Sequence, residues 1–470
     1  MLAHRGLLSL RSKPVAFVGG GMDPLMRMMG GLALGLVSPA IAQGGRGAQA
    51  DREVEHDPSP SPATADTQER PGEGLLEDSG GVRSRLAASG LLITARYASE
   101  SAYNIAGGDR KLLRETGQFD VSARFDLHRL AGIEGGRVQA AITYRRGRDL
   151  GADANLGVLQ QVQEVYGRGQ TWRLTQFWYE QSFAKGHVAI KVGRSNPGED
   201  FAAFSCHFQN LSFCGSPPGN IVGDYWYNWP ISQWSARVRV NLANGAFAQV
   251  GGYEVNPRNL RNRLFNWHFH GARGVLVPIE LGWSGTSSRT GRVSAVRIGG
   301  WYSSADADDL LLDIDRQPRL LTGLDPLRRS SRYGVWVMGQ HQLTGRAENG
   351  KSVTGLSVYV NLTQTDRRTA ITDNQIAAGL FHKGLIPRLP GDVLGIGVAR
   401  TNVNGRAVRG RMLPIGPGGL DAEYAAEVYY SLHPTKWLEL RPNLQFVNQP
   451  GGQRNAPNVG IIGLKGAIIL

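Results

Sequence analysis

The chain has 470 residues, a formal net charge of +13 and 63 glycines, and only 41% of its residues are hydrophobic. This glycine content disfavours a helical protein and suits an all-β chain with many turns. The basic residues are scattered among strand-like segments, without a basic helix or a nucleic-acid-binding motif, which argues against nucleic acid as a partner. A basic interior or rim that attracts anionic or polar solutes is an equally good use of the charge.

The N-terminal region is typical of an exported protein. Arg27 precedes the apolar run from Met28 to Val37, and Ala40 and Ala42 form an A-x-A cleavage pattern. This pattern predicts a signal peptide over residues 1–42. The apolar run is too short to cross a bilayer as a helix.

The next segment, residues 43–85, is rich in Pro, Ser, Gly, Asp and Glu and has no apolar periodicity. Its composition predicts a disordered or weakly structured periplasmic lead segment. The pattern changes at Leu91, where apolar and polar residues begin to alternate over segments of roughly ten residues. Strands of this length, with one aliphatic and one charged face, predict a membrane barrel over residues 86–470.

Sixteen such segments follow one another, and a single-chain bacterial barrel requires an even number. They begin at Leu91, Gln118, Arg137, Thr171, His187, Gln233, Ala246, Val275, Arg292, Tyr333, Ser352, Asn374, Asp392, Leu420, Trp437 and Asn458. Connections after even-numbered segments are short, whereas those after odd-numbered segments are mostly long. The predicted fold class is therefore all-β, a 16-stranded antiparallel transmembrane barrel of the bacterial outer membrane.

Aromatic residues near the strand ends suggest girdles at the two membrane interfaces, although core packing would explain some of them equally well. They are Tyr97, Tyr144, Trp178, Tyr179, Trp301, Tyr302, Tyr429, Tyr430 and Trp437.

The two cysteines, Cys206 and Cys214, lie eight residues apart in the longest predicted connection. In an oxidising compartment they can form a disulfide that closes a small loop, with free thiols as the alternative. Without clustered histidines they would make a poor metal site. His268 and His270 also lie in a predicted loop beside aromatic residues, so we predict neither a metal nor a cofactor.

Four longer motifs resemble one known family. They are QVQEVYGRGQTWRLTQFWYEQ (161–181), GEDFAAFSCHFQNLSFCGSPPGN (198–220), GDYWYNWPISQW (223–234) and YEVNPRN (253–259). Together they resemble the carbohydrate-selective porins of the OprB family. The resemblance implies a channel for facilitated diffusion of monosaccharides such as glucose. It also implies that the third long loop, which holds both cysteines, folds into the barrel and narrows it.

A sugar channel needs hydrogen-bonding groups that replace hydration water and flat apolar faces for the C–H surfaces of pyranose rings. The predicted polar contacts are Arg124, Arg145, Arg194, Glu199 and Asp200, and the predicted stacking surface is Trp226 or Trp229. For any one of these residues, the alternative is a solvated lumen wall or an ion pair within the wall.

The expected partners are mono- and small oligosaccharides, outer-membrane lipid and the barrel-assembly machinery during biogenesis. Outward aliphatic faces suit lipid and a neighbouring copy alike, which leaves a homo-oligomer open.

Inward arginines would also suit small organic anions or phosphate, the alternative class of solute. We predict no enzyme, because no Ser/His/Asp set stands on an outward face at matching depth; a surface adhesin is a further alternative.

Overall fold

The computed structural model describes residues 74–76, 78–389 and 391–470. The predicted signal peptide lies outside the described residues, as does most of the predicted lead segment. The described end of that segment contains a 3-10 turn, Ser79–Gly81, and the first residues of a helix, Val82–Ser89, which ends just before the first strand. Within the described ranges, the helices are all too short or too polar to cross a membrane.

Sixteen antiparallel strands form a closed barrel, in which the first strand pairs with the last. They are β1 (Leu91–Ala106), β2 (Leu113–Asp126), β3 (Gly136–Gly147), β4 (Trp172–Phe183), β5 (Val188–Ser195), β6 (Gln233–Asn241), β7 (Ala246–Val255), β8 (Gly274–Thr286), β9 (Val293–Ser303), β10 (Arg332–Gln342), β11 (Gly355–Thr365), β12 (Thr372–Lys383), β13 (Val393–Val403), β14 (Ala422–Thr435), β15 (Leu438–Asn448) and β16 (Val459–Ile469). The predicted fold class is confirmed.

The connections hold the smaller elements. Two hairpins pair Ala307–Asp313 with Pro326–Arg329 and Ala347–Glu348 with Lys351–Ser352. The helices are Leu127–Ala131, Leu150–Asp153, Arg319–Thr322 and Gly405–Arg409, and the 3-10 turns are Pro197–Glu199, Leu211–Phe213, Ala243–Gly245, Pro257–Leu260 and Pro450–Gly452.

Aliphatic side chains cover the outside of the barrel. On β5, Ile190 and Val192 are 37% and 45% exposed, whereas Ala189 and Lys191 beside them are 8% and 4% exposed. A water-soluble protein would bury the aliphatic row, so this inversion is typical of a wall that faces lipid.

The two ends of the barrel differ in their connections. The short turns, such as 184–187 and 242–245, lie at the end where β1 begins and β16 finishes. The longest connections, 148–171, 196–232 and 304–331, lie at the opposite end. This is the predicted asymmetry between short periplasmic turns and long extracellular loops.

Three pairs of predicted girdle residues are consecutive in the sequence, and in each pair the prediction is wrong for one residue. Trp178, Trp301 and Tyr429 are 5%, 4% and 2% exposed because they face the lumen side and pack against an inserted loop. Neighbouring residues of a strand point to opposite sides, so two consecutive aromatics cannot both face lipid. The partner of Trp301, Tyr302, is 51% exposed on the outer face.

Candidate functional site

The connection between β5 and β6, residues 196–232, folds into the lumen, and we call it the disulfide loop. Cys206 and Cys214 are joined by a disulfide, as predicted. Just inside the ring, the Asn210 side chain accepts a hydrogen bond from the Ser212 N–H, which starts a 3-10 turn. A covalent ring of this size limits the conformations of a loop that has no core of its own.

The far wall of the barrel holds the tip of the disulfide loop. The Glu427 carboxylate on β14 accepts hydrogen bonds from the backbone N–H groups of Gln209 and Asn210, at 2.8 and 2.7 Å. The Asn210 amide donates to Gln445 Oε1 at 3.0 Å, and the Asn443 amide donates to Gln209 Oε1 at 2.9 Å. Because Glu427 is buried, these charge-assisted bonds fix the loop firmly across the lumen.

Aromatic packing reinforces this attachment. Phe208 and Phe213 lie with their ring centroids 4.7 Å apart. Phe208 also meets Tyr429 edge-on at 5.0 Å and Phe381 at 5.7 Å. Tyr359 stacks on Phe381, so three strands of the far wall supply an apolar seat for the loop.

A buried ionic cluster holds the base of the disulfide loop. Lys191 Nζ lies 3.3 Å from Glu199 Oε1 and 2.6 Å from Asp200 Oδ2. Arg237 Nη1 lies 3.4 Å from Asp200 Oδ1, and the Trp178 indole N–H donates to Glu199 at 2.7 Å. The predicted residues Glu199 and Asp200 are thus brought together, with two strand cations between them and the wall.

The two carboxyl groups of this cluster differ in pKa. Burial raises the pKa of Glu199, and the nearby Asp200 carboxylate adds to the rise. Burial would also raise the pKa of Asp200, but Lys191 and Arg237 outweigh it and lower the value. Asp200 is therefore the firmer anion of the two.

Trp226 fills a slot between two wall tryptophans. Its ring centroid lies 5.5 Å from that of Trp301 and 6.0 Å from that of Trp336. The wall rings lie over Gly334 and Gly299, where an added Cβ would come within 2.2 and 2.1 Å of them. Trp226 is fully buried, so its position suits support of the loop rather than stacking on a passing sugar.

A second connection, residues 148–171, also enters the lumen, and we call it the second inserted loop. Its entry was not predicted from the sequence. The Glu423 carboxylate accepts a hydrogen bond from the Leu159 N–H at 2.6 Å. The Glu100 carboxylate accepts one from the Val165 N–H at 3.1 Å. These wall carboxylates repeat the arrangement seen at Glu427.

The two inserted loops also bind each other. The Leu211 N–H donates to the Gln161 carbonyl at 2.8 Å, and the Glu164 N–H donates to the Gln209 carbonyl at 3.0 Å. One sequence signal was available, because Val162 and Val165 are apolar residues within a polar connection, and both are buried. Exposed loops rarely need such residues.

The predicted contact residues Arg124 and Arg145 lie in different surroundings. Arg145 is buried, and it donates to Gln118 Oε1 at 2.6 Å and to the Tyr166 carbonyl at 3.3 Å, which ties it to the second inserted loop. Arg124 is partly exposed, and its Nε lies 3.4 Å from Gln139 Oε1.

Arg124 belongs to a group of partly exposed, lumen-facing arginines in the half of the barrel nearest the short turns. We call this group the arginine belt; it comprises Arg96, Arg124, Arg137, Arg239 and Arg297. Arg124 is the one member of the belt among the residues predicted from the sequence to contact the solute. The belt lies on the periplasmic side of the inserted loops.

The predicted lumen position of Arg194 is wrong. Arg194 pairs with Trp234 on β6, and its parity is that of the exposed Ile190 and Val192 rather than that of Lys191. Positions 191 and 194 differ by an odd number and therefore take opposite faces of a regular strand. The remaining predicted residue, Trp229, lies in the disulfide loop and is 9% exposed.

The model of the carbohydrate-selective porin family, OprB family, matches residues 110–469. The chain belongs to this family. It is therefore a carbohydrate-selective channel of the bacterial outer membrane, and the lumen described above is the path of its solutes.

Individual relatives of this OprB-family chain agree with that assignment. The chain is 41% identical to Porin B of Pseudomonas aeruginosa over 83% of its own length and 90% of that protein. It is 32% identical to the putative porin QuiX of Acinetobacter baylyi over 83% and 91% of the two chains. The high-pH structure of Pseudomonas putida OprB matches with a TM-score of 0.80 and 39% identity, covering 86% of this chain and 100% of that one.

Proposed function

We propose that this channel passes monosaccharides such as glucose by facilitated diffusion, through a lumen narrowed by both inserted loops. One observation carries the proposal: wall carboxylates bind the loop backbones, and the arginine belt lies partly exposed just beyond them. Loop N–H groups occupy the wall carboxylates. The guanidinium groups of the arginine belt are then the charged groups that a solute meets. A guanidinium fork matches the spacing of two neighbouring hydroxyl oxygens.

We assign the predicted contact residues two different roles. Arg124 contacts the solute, and Trp229 is the better candidate for a stacking surface because Trp226 is fully buried. Arg145, Glu199, Asp200 and Trp226 are positioning residues that hold the inserted loops.

Swelling of proteoliposomes tests the choice of solute. The purified channel is inserted into liposomes, which are then diluted into equimolar glucose or gluconate, two solutes of nearly equal size. Faster swelling in glucose supports the proposal. Faster swelling in gluconate would instead support small organic anions or phosphate, the class that the exposed arginines would attract.

A block measurement tests Arg124. Glucose should reduce the ion current through single channels, and Arg124→Gln should weaken that block about fivefold, as expected for the loss of one hydrogen-bonding group. The matched control is Arg129→Gln, which removes the same charge from an exposed position at the same end of the barrel. An unaltered blocking constant for Arg124→Gln would remove this residue from the solute path.

The proposal also includes partners outside the lumen. Exposed Ile279, Leu281 and Ile298 on neighbouring strands suit lipid chains, and insertion of a closed antiparallel barrel suits the barrel-assembly machinery. The same aliphatic faces suit a homo-oligomer. Chemical cross-linking of the channel in intact outer membranes would separate a monomer from an oligomer.

A further inference from the structure

The connection between β7 and β8, residues 256–273, lies against the outside of the barrel, and we call it the outer loop. The Leu174 N–H on β4 donates to the carbonyl of Leu264 in this loop at 2.8 Å. Trp267 packs edge-on against Phe177, an outward-facing residue of β4, at 5.7 Å. The outer loop therefore crosses the rim and covers the lipid-facing side of the wall.

The outer loop exposes large aromatic side chains at this place. Phe265, Trp267 and Phe269 are 52%, 41% and 80% exposed. Phe269 also stacks on Trp234 with 4.9 Å between ring centroids. Aromatic residues of this kind are typical of the boundary between lipid chains and headgroups, where a ring meets both apolar and polar surroundings.

The outer loop is also strongly basic. It contains Arg258, Arg261, Arg263 and Arg273 and no Asp or Glu. Burial lowers the pKa of His268, and the charge of Arg258 lowers it further. Such a loop attracts an anion that the loop itself does not supply.

Beneath the loop lies the buried Arg194, which the lumen does not use. Its guanidinium donates to the Ser232 carbonyl at 2.6 Å and to Asn259 Oδ1 at 3.0 Å, both neutral oxygens. Its Nη1 has no hydrogen-bond partner among the described residues, although the side chain is only 2% exposed. A buried donor without a partner is costly, so its presence needs an explanation.

Arg194 lines a small cleft between the rim and the outer loop. The cleft is also lined by Arg173, Ser232, Asn259, Arg263 and Asn266. Arg194 and Arg263 thus border one small opening at the level where β5 ends, close to the extracellular surface. The third arginine, Arg173, already donates to the backbone carbonyls of Arg168, Leu260 and Arg261. Arginine forks are well suited to phosphate oxygens.

We propose that the outer loop binds a phosphate group of an outer-leaflet lipid. Arg263 and Arg194 hold the phosphate at the cleft, while Phe265, Trp267 and Phe269 enter the adjoining lipid. The charge of the loop favours this occupant over a second copy of the chain, because a lipid phosphate supplies the missing anion directly.

Native mass spectrometry of the full-length protein in detergent tests this proposal. The probes are diphosphoryl lipid A, a phosphorylated outer-leaflet glycolipid, and the same lipid after removal of its phosphates. The wild-type protein should retain the phosphorylated lipid preferentially. Arg263→Gln should weaken its retention about tenfold, as expected for one charge-assisted contact, and Arg194→Gln should weaken it as well.

The control is Arg289→Gln, which removes an exposed charge from a turn at the opposite end of the barrel and should bind lipid as the wild type does. Arg263 is exposed, so Arg263→Gln should fold normally and still test the proposal if Arg194→Gln fails to fold. The proposal is overturned if Arg263→Gln retains the phosphorylated lipid as well as the wild type does. It is also overturned if the wild type retains the phosphorylated and the dephosphorylated lipid equally. It is also overturned if inorganic phosphate displaces the lipid at equal concentration, or if Arg263→Gln changes only the oligomeric state.

Discussion

Glu427 accepts a hydrogen bond from the backbone N–H of Gln209, across the lumen from the strand at which the disulfide loop begins, with 2.8 Å between Oε1 and N. The loop is therefore fixed at its tip as well as at its base. Its position depends on a carboxylate of the far wall, and this contact should control the width of the channel.

Glu427→Gln tests the attachment of the loop tip. The amide keeps one acceptor oxygen but presents an NH2 group to a backbone donor, which should cost about 1.5–3 kcal/mol of loop attachment. We expect a higher and noisier single-channel conductance with an intact barrel. Glu348→Gln, at an exposed turn on the short-turn side, should leave the conductance unchanged. An unchanged Glu427→Gln trace would show that the tip does not set the width.

The disulfide ring should contribute separately from this attachment. Cys206→Ser removes a cross-link between residues eight apart, which constrains the loop by roughly 2–3 kcal/mol in the chain-entropy model. We expect a larger conductance or a weaker preference for sugars, with normal barrel assembly, because Glu427 still holds the tip. Recordings of the oxidised and reduced wild type provide the control. If reduction and substitution both leave selectivity intact, the ring does not shape the constriction.

The buried base of the disulfide loop depends on Lys191. Lys191→Met leaves Glu199 and Asp200 buried with less compensating charge, which should cost about 3–5 kcal/mol. We expect a lower melting temperature and an open, unselective channel. The double variant Lys191→Met/Glu199→Gln, with one buried charge fewer, should recover part of the stability. The absence of any recovery would mean that charge compensation is not the role of Lys191.

An extracellular ion cluster predicts a pH dependence. Burial would raise the pKa of Asp309, but the N–H groups of Leu312 and Leu311, together with Arg329 and Arg406, lower it to about 2. A depressed pKa means that the contribution to stability is present above the usual value for Asp and is lost as the pH falls towards 2. The contact between connections 304–331 and 404–421 should therefore persist at pH 4.

Amide NMR shifts of Leu311 and Leu312, whose N–H groups donate to Asp309, measure this titration directly. We expect a midpoint near pH 2 in the wild type and no corresponding transition in Asp309→Asn. A midpoint at the ordinary value for Asp, near pH 4, would contradict the proposed strength of the cluster.

The barrel was open to prediction because alternation along a strand is a local property. The side chains of Ile190 and Val192 point the same way whatever the rest of the chain does, so two-residue periodicity identified the lipid face. The number of strands and the lengths of the connections then followed from the order of residues along the chain. The same parity, applied carefully, would have placed Arg194 outside.

The site was less predictable because burial within the lumen depends on distant contacts. Glu199 and Asp200 were recognised in a distinctive motif, but their cations stand on β5 and β6 and their burial comes from the whole loop. Trp226 was predicted as a possible stacking surface for sugars, but in the structure it is enclosed by Trp301 and Trp336. Nothing near Leu159 in the chain indicates that Glu423 will bind its backbone.

By itself, the sequence determined the exported β-barrel, its sixteen strands, the side with long loops and the cysteine pair within one of them. Only the tertiary structure decided that a second loop enters the lumen beside the disulfide loop, that the outer loop covers the lipid face and that the arginine belt stays partly exposed. The reason is physical: strand alternation is set by neighbouring residues, whereas the path of a loop is set by hydrogen bonds to walls far away in the chain.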